Sequence, residues 1–276
     1  MDLKTVNFEV PDIERLKKRG FTCVDSHCHT HFSDGADLNN VLRQCKSKGI
    51  GVAITDHNEV KGAIKASKQK DVPIIPGMEI NTNEGPHFLA YFYDIKELEE
   101  FHAKHIEPVK FFNRKKFTHM ADISLLELTD ILKKYNCVTC LPHPYAPSWA
   151  NINRAIIKNP ENKRVIQEVD AIEVISAVQT NSWNNKAHAL QILFDKSVTG
   201  GSDAHRIKDI GNSVTIANAE SVNGFLDALK NKKTMAVGLP LIGQKASVCF
   251  GAIKRHGSRA KVLIRNRFLS RNDPIP

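Results

Sequence analysis

No apolar run in the 276 residues approaches the ~20 consecutive residues that a membrane-spanning helix needs. The first residues, Met1-Asp2-Leu3-Lys4 onward, carry mixed charge and lack the apolar centre of a secretory leader. There is no internal repeat and no low-complexity linker, which argues against solenoids and strings of tethered modules. Cysteine is sparse and scattered, with six residues at positions 23, 28, 45, 137, 140 and 249. Cys137-x-x-Cys140 has no second pair nearby, so neither a disulfide framework nor a four-cysteine zinc site is expected. Reduced thiols and the missing leader predict a cytoplasmic chain with no membrane partner.

Charge is not short, but it is uneven. The formal net charge is +9. From Gly251 onward Lys254, Arg255, Arg259, Lys261, Arg265, Arg267 and Arg271 face one acid, Asp273, so most of the excess sits in the last residues. Such a tail is either a solvated edge or a contact for a polyanion. Apolar residues make up 41% of the chain, enough for a full core at this length.

Apolar runs alternate with amphipathic stretches. Strands are expected at Phe21–Asp25, Ile50–Ile54, Val72–Ile75, His87–Tyr93, Cys137–Leu141, Ala171–Ile175 and Ser197–Thr199, with further short runs at Val214–Ala217 and Met235–Val237. Leu38, Val41, Leu42 and Cys45 recur with the 3.6-residue period of a helix that Asp37 starts and Gly49 ends. Further helices are expected over Ala63–Lys70, Lys96–His105, Leu125–Tyr135, Trp183–Phe194 and Val222–Lys230. The segment Glu107–Asp122 is basic and aromatic and reads as a lid or an insertion. Strands alternating with helices predict parallel βα units.

Polar residues of metal-ligand type stand just beyond five of these apolar runs: His27 and His29, His57, Glu79, His143, and Asp203 with His205. In a βα barrel the carboxyl ends of the strands gather on one face, where sites are built. His27 and His29 are two apart in extended chain and so point the same way. With Asp34 in the following loop and His87, the candidate ligands are His27, His29, Asp34, His57, Glu79, His87, His143, Asp203 and His205. Nine groups exceed one tetrahedral ion and suit two or three ions that share carboxylates. Imidazole and carboxylate together fit zinc, manganese or iron without choosing among them. Such a cluster can turn a bound water into hydroxide near neutral pH and clamp the oxygens of a phosphate ester.

The motifs His27-Cys28-His29-Thr30-His31-Phe32-Ser33-Asp34-Gly35, Thr55-Asp56-His57, Pro76-Gly77-Met78-Glu79-Ile80, His143-Pro144 and Gly201-Ser202-Asp203-Ala204-His205 resemble, in order, those of the PHP (polymerase and histidinol phosphatase) family. The resemblance implies an α/β fold, a distorted (β/α)7 barrel over residues 21–240. A lead-in over residues 1–20 would precede it, and a short basic extension over 241–276 would follow. It also implies two or three divalent ions, ligand roles for the same nine residues, and metal-dependent phosphoesterase activity. Asp34 stands where some members carry histidine, so one ion position is expected to be weaker or differently populated.

Other residues receive expectations of their own. Asp203 and His205 are candidates for proton transfer. Arg206, Arg114 and Lys115 are candidates for phosphate contact. Asp25 and Asp56 neighbour ligands and are read either as carboxylates that orient imidazoles from behind or as plain strand-end polar residues. His31 is expected in a loop, and His102 and His105 on a helix surface. The expected substrate is a nucleotide or another small phosphomonoester. Rival readings are an exonuclease acting on nucleic-acid ends, a non-catalytic metal-binding module that docks a partner, and a hydrolase acting on a C–N bond.

Overall fold

Hydrophobic runs bounded by turn residues fold into the strands of an α/β barrel. The computed structural model describes residues 5–113 and 118–240; Arg114, Lys115, Lys116 and the basic extension expected over 241–276 lie outside them. In chain order the strands are β1 (Val6–Asn7), β2 (Thr22–Cys28), β3 (Gly51–Ile54), β4 (Ile74–Asn81), β5 (His87–Phe92) and β6 (Lys110–Asn113). They continue as β7 (Thr118–Ala121), β8 (Cys137–Leu141), β9 (Ala171–Ser176), β10 (Ser197–Gly201), β11 (Ser213–Ala217) and β12 (Thr234–Gly238).

The main sheet has 10 strands in the order β1-β12-β11-β2-β3-β4-β5-β8-β9-β10. β2, β3 and β4 are parallel, as are β8, β9 and β10. β5 runs antiparallel to both of its neighbours, β4 and β8. The end of β10 returns to β2, where Asp203 N–H donates to the His27 carbonyl (2.8 Å) and His29 N–H to the Ala204 carbonyl (3.1 Å). These bonds nearly close a barrel from β2 to β10, and β11, β12 and β1 extend the sheet beyond β2. The residues before Phe21 are therefore more than a lead-in, because Val6–Asn7 pairs with β12.

Strands covered on both faces read as continuous apolar runs. Every residue of β3, β4 and β10 is buried. The helix Leu38–Lys48 buries Leu38, Val41 and Cys45, the period seen in the sequence. Asp37 caps it by accepting the Asn40 N–H, and Gly49 ends it at φ 65°. The helix expected to reach His105 is α-helical only from Ile95 to Phe101, then widens to a π turn over His102–Ile106. A 3-10 turn containing Pro108 follows, and proline has no N–H with which to continue the helix. Cys137 and Cys140 are buried free thiols whose sulfurs donate to the Leu132 carbonyl and approach Thr199 Oγ1. Three residues apart on a strand, they point to opposite faces and form no pair.

The basic aromatic segment is a hairpin, β6 against β7. It is anchored where the His119 carbonyl accepts from Asn58 Nδ2 (3.2 Å) and Asn81 Nδ2 (3.0 Å). Phe111 and Phe112 are exposed on it.

Asp25 secures the barrel at its closing strand. Buried in β2, its Oδ1 accepts the Ser202 N–H and its Oδ2 the Gly211 N–H, both at 2.8 Å. In Asp25→Asn one buried N–H faces an amide NH2 instead of an acceptor. A loss of about 1–3 kcal/mol is expected. It would appear in denaturant titration under chelating conditions as a lower midpoint with an unchanged slope; an unchanged midpoint would remove Asp25 from this role.

Candidate metal centre

The barrel brings all nine candidate ligands to one face. His27 lies in β2 and His29 one residue past it; His57 follows β3, Glu79 lies in β4, His143 follows β8, and Asp203 and His205 follow β10. His87 obeys a different rule. It is the first residue of β5, and because that strand runs antiparallel, its start lies beside the ends of its neighbours. Asp34 arrives on the loop after β2, which folds tightly on itself: His31 N–H donates to the Ala36 carbonyl (2.7 Å) and Gly35 N–H to the Thr30 carbonyl (2.9 Å). A Cβ on Gly35 would sit 2.2 Å from the His29 carbonyl oxygen, so this loop needs glycine there.

Glu79 is the hub. Its Oε2 lies 2.8 Å from His57 Nδ1 and 3.4 Å from both His27 Nε2 and His29 Nε2. Its Oε1 lies 2.8 Å from His87 Nδ1 and 3.1 Å from His143 Nε2. Asp203 Oδ1 is 3.2 Å from His29 Nε2 and 3.7 Å from His27 Nε2. On the open side, Asp34 Oδ2 lies 3.3 Å from His205 Nε2 and 3.9 Å from His57 Nε2. The nine residues form four overlapping groups: His29, Asp34, His57 and His205; His27, His29 and Glu79; His27, His143 and Asp203; and His57, Glu79 and His87.

The surrounding structure holds these groups at a cost. Asn58, His143 and Asp203 all have positive φ (49°, 27° and 50°), a region that disfavours non-glycine residues. Each adjoins or belongs to the cluster. Asp56 does not touch an imidazole; it accepts from Thr30 N–H, Thr30 Oγ1 and Ser33 Oγ (2.6–2.7 Å) and so fixes the loop that carries Asp34. Asp25 likewise holds backbone. The carboxylate that meets an imidazole from behind is Glu173, which accepts from His27 Nδ1 at 3.1 Å. It had a signal in the sequence, an acid in the middle of the apolar strand Ala171-Ile172-Glu173-Val174-Ile175. Arg206 pairs with Asp209 through Nε at 2.6 Å. His31 accepts the Leu38 N–H, placing it in the loop as expected. His102, expected at the surface, is instead buried with Nε2 3.2 Å from the Asn58 carbonyl.

The electrostatics divide the imidazoles. Burial pushes His87 down to about 4, and burial with the neighbouring His57 and His205 lowers His29. Burial also opposes charge on His57 and His205, but Glu79 and Asp34 raise the former to about 9, and Asp34 and Asp203 raise the latter to about 10. His27 is held well above its usual value against burial by Glu79, Glu173 and Asp203. Glu79, despite burial, is held well below the usual carboxylate range by His57, His87 and His27.

A divalent cation fits this donor set. His57 Nδ1 and Glu79 Oε2 form a buried ion pair at 2.8 Å, whereas His29 Nδ1 and His143 Nδ1 are buried without a hydrogen-bond partner. Such orphans are costly. Two ligands on one ion at about 2.1 Å lie roughly 3–3.4 Å apart, the separation that recurs here.

Comparison with known proteins agrees with this geometry. The PHP domain family model matches residues 25–189, and the PHP-associated model matches residues 181–234. An uncharacterised protein of Methanocaldococcus jannaschii, MJ0417, is 29% identical over 196 residues, 69% of this chain and 68% of that protein. A two-domain protein from Bacteroides vulgatus containing a predicted PHP-like metal-dependent phosphoesterase superposes with a TM-score of 0.54 at 19% identity, covering 92% of this chain and 74% of its own. The lesion-specific endonuclease PfuEndoQ from Pyrococcus furiosus superposes with a TM-score of 0.59 at 15% identity, covering 76% of this chain and 56% of its own. At these identities the two structures speak to the fold.

Proton and metal compete for the same imidazole lone pair. Raised values on His57 (about 9) and His205 (about 10) mean that both carry protons at pH 7 in the metal-free chain. Metal affinity is therefore expected to rise with pH and level off above about 9 to 10, with protons released on binding at pH 7. Calorimetry of Zn or Mn binding in buffers of different ionisation enthalpy measures both. Affinity independent of pH between 7 and 9 would contradict this charge distribution.

Proposed function

The chain belongs to the PHP domain family, and on that premise we propose that it is a metal-dependent hydrolase of phosphate esters. The observation that carries this reading is the convergence of five imidazoles on the buried Glu79 carboxylate, within 3.4 Å. His27, His29, Asp34, His57, Glu79, His87, His143, Asp203 and His205 would hold two or three divalent ions, drawn from zinc, manganese or iron. Bound there, the ions would lower the pKa of a water and neutralise charge developing on phosphoryl oxygens.

The chain's own residues supply position. Glu79 belongs to two of the four ligand groups and contacts an imidazole in each of the four, and so fixes their spacing. Asp34, 43% exposed at its side chain, and His205, at 23%, form the side open to a substrate. We assign proton handling to Asp203 and His205, where His205 Nδ1 donates to the Asp203 carbonyl (3.0 Å) beside the open side. Arg206, anchored on Asp209, is our candidate for a cation near the phosphate; Arg114 and Lys115 remain expectations from the sequence.

A small phosphomonoester, such as a nucleotide, is the first substrate class we propose. Nucleic-acid ends are the second, favoured by the exposed Phe111 and Phe112 on a hairpin tied to the residue after His57. Among the described residues no helix is long and apolar enough to cross a membrane.

Phosphate release from an aryl phosphomonoester and a diester, with and without chelator, tests the reaction class. Chelator-sensitive release is expected, and Glu79→Gln or His57→Ala should lower it at least about 100-fold with circular dichroism unchanged. Metal-loaded protein that cleaves an amide but neither ester would overturn the reading in favour of C–N hydrolysis. Bound metal with no turnover of any of these would favour a docking module.

If a nucleic acid is the substrate, KM should climb steeply between about 50 and 200 mM salt, because phosphate contacts release counterions. A small phosphomonoester should show a shallow dependence. The two slopes, measured on one preparation, choose between the substrate classes.

A further inference from the structure

Glu173 lies in the middle of β9, buried among apolar neighbours. Both of its oxygens are engaged, each by a candidate ligand from a different strand. Oε1 accepts from the His27 imidazole Nδ1 (3.1 Å), and Oε2 accepts the backbone N–H of His143 (2.9 Å). The second bond holds a residue at φ 27°, where backbone needs an anchor. The first leaves the other ring nitrogen of His27, Nε2, facing Glu79 Oε2 and Asp203 Oδ1. The packing leaves no slack: a Cβ on Gly201 would lie 2.6 Å from Glu173 Oε1 and 2.4 Å from His27 Cβ.

We propose that Glu173 is a positioning residue that builds the ion position formed by His27, His143 and Asp203. It keeps the His27 proton on Nδ1, so that the Nε2 lone pair faces the ion, and it fixes the backbone from which His143 projects. This inference rests on the reading of the cluster as a metal centre.

Glu173→Gln is nearly isosteric but cannot serve both donors with separate acceptor atoms. If its oxygen takes the His143 N–H, its NH2 faces His27 Nδ1 and drives the ring proton to Nε2, closing the ligand nitrogen. Cobalt(II) titration of the full chain, followed by visible absorption and elemental analysis, reads the outcome. One equivalent is expected to bind roughly 10–100-fold more weakly in the variant, with an altered ligand-field band, while the remaining equivalents hold. A merely structural role would lower the melting temperature and leave the per-site spectrum unchanged. Variant and wild type binding cobalt with equal affinity and equal spectra would overturn the inference. Wild type binding no cobalt would instead overturn the metal-centre reading beneath it.

Should the variant fail to fold, nitrogen-15 spectra of histidine-labelled wild-type protein loaded with zinc decide the matter. A protonated Nδ1 on His27 supports the positioning role, and an unprotonated Nδ1 refutes it.

Discussion

The carboxylate of Glu79 is 1% exposed and has nitrogens of His27, His29, His57, His87 and His143 within 3.4 Å. Removing a carboxylate from water costs several kcal/mol unless opposite charge and hydrogen bonds compensate. Here the compensation comes from imidazoles, each of which is itself penalised by burial when charged. That conflict explains why chemically identical side chains a few ångströms apart divide into lowered (His29, His87) and raised (His27, His57, His143, His205) groups. Without an ion the cluster carries protons to balance its acids. Were ions bound, the same lone pairs would serve as ligands and the protons would leave.

The barrel meets this constraint at its strand ends. Parallel strands deliver one or two side chains each, and the antiparallel β5 contributes the side chain at its beginning. Strain is concentrated at the same places. Asn58, His143 and Asp203 each depart from ordinary backbone geometry at about 1–3 kcal/mol apiece. Each is tied down by a bond into the site: Asn58 N–H to the Glu79 carbonyl, His143 N–H to Glu173, and Asp203 N–H to the His27 carbonyl. The apolar strands behind them, buried throughout, provide the rigid frame against which such strain persists.

Much of this was legible from residue order alone. Apolar runs followed by ligand-type residues marked His27, His29, His57, Glu79, His143, Asp203 and His205, because parallel strands end on one face. His87 precedes its apolar run, and only the reversed direction of β5 explains its place; strand direction is a tertiary property that no local pattern carries. Glu173 escaped because it sits inside a run, where the strand-end rule does not look. An acid in an otherwise continuous apolar strand is nevertheless a sign that something buried needs it. Asp25 and Asp56 stand beside ligands in the sequence, but Asp25 holds the backbone of Ser202 and Gly211 and Asp56 holds Thr30 and Ser33. The pairing of Val6–Asn7 with β12 joins segments more than two hundred residues apart, which periodicity does not reveal.

The site is also polarised in depth. His27, His29 and Glu79 are closed off, whereas Asp34 and His205 retain access to solvent. Among the described residues the ion-pair partners of Asp34, Glu79 and Asp203 are all imidazoles; no lysine or arginine supplies a permanent positive charge to them. With Glu173 these acids carry four negative charges when ionised, and once the imidazole protons are displaced the side chains alone would repel an anionic substrate. Two divalent ions cancel that charge, and a third leaves an excess of two positive charges, matching a phosphate dianion. The same ions that satisfy the orphaned nitrogens would thus create the field that draws a phosphate ester to the Asp34 side, and binding and reactivity would depend on one set of ligands.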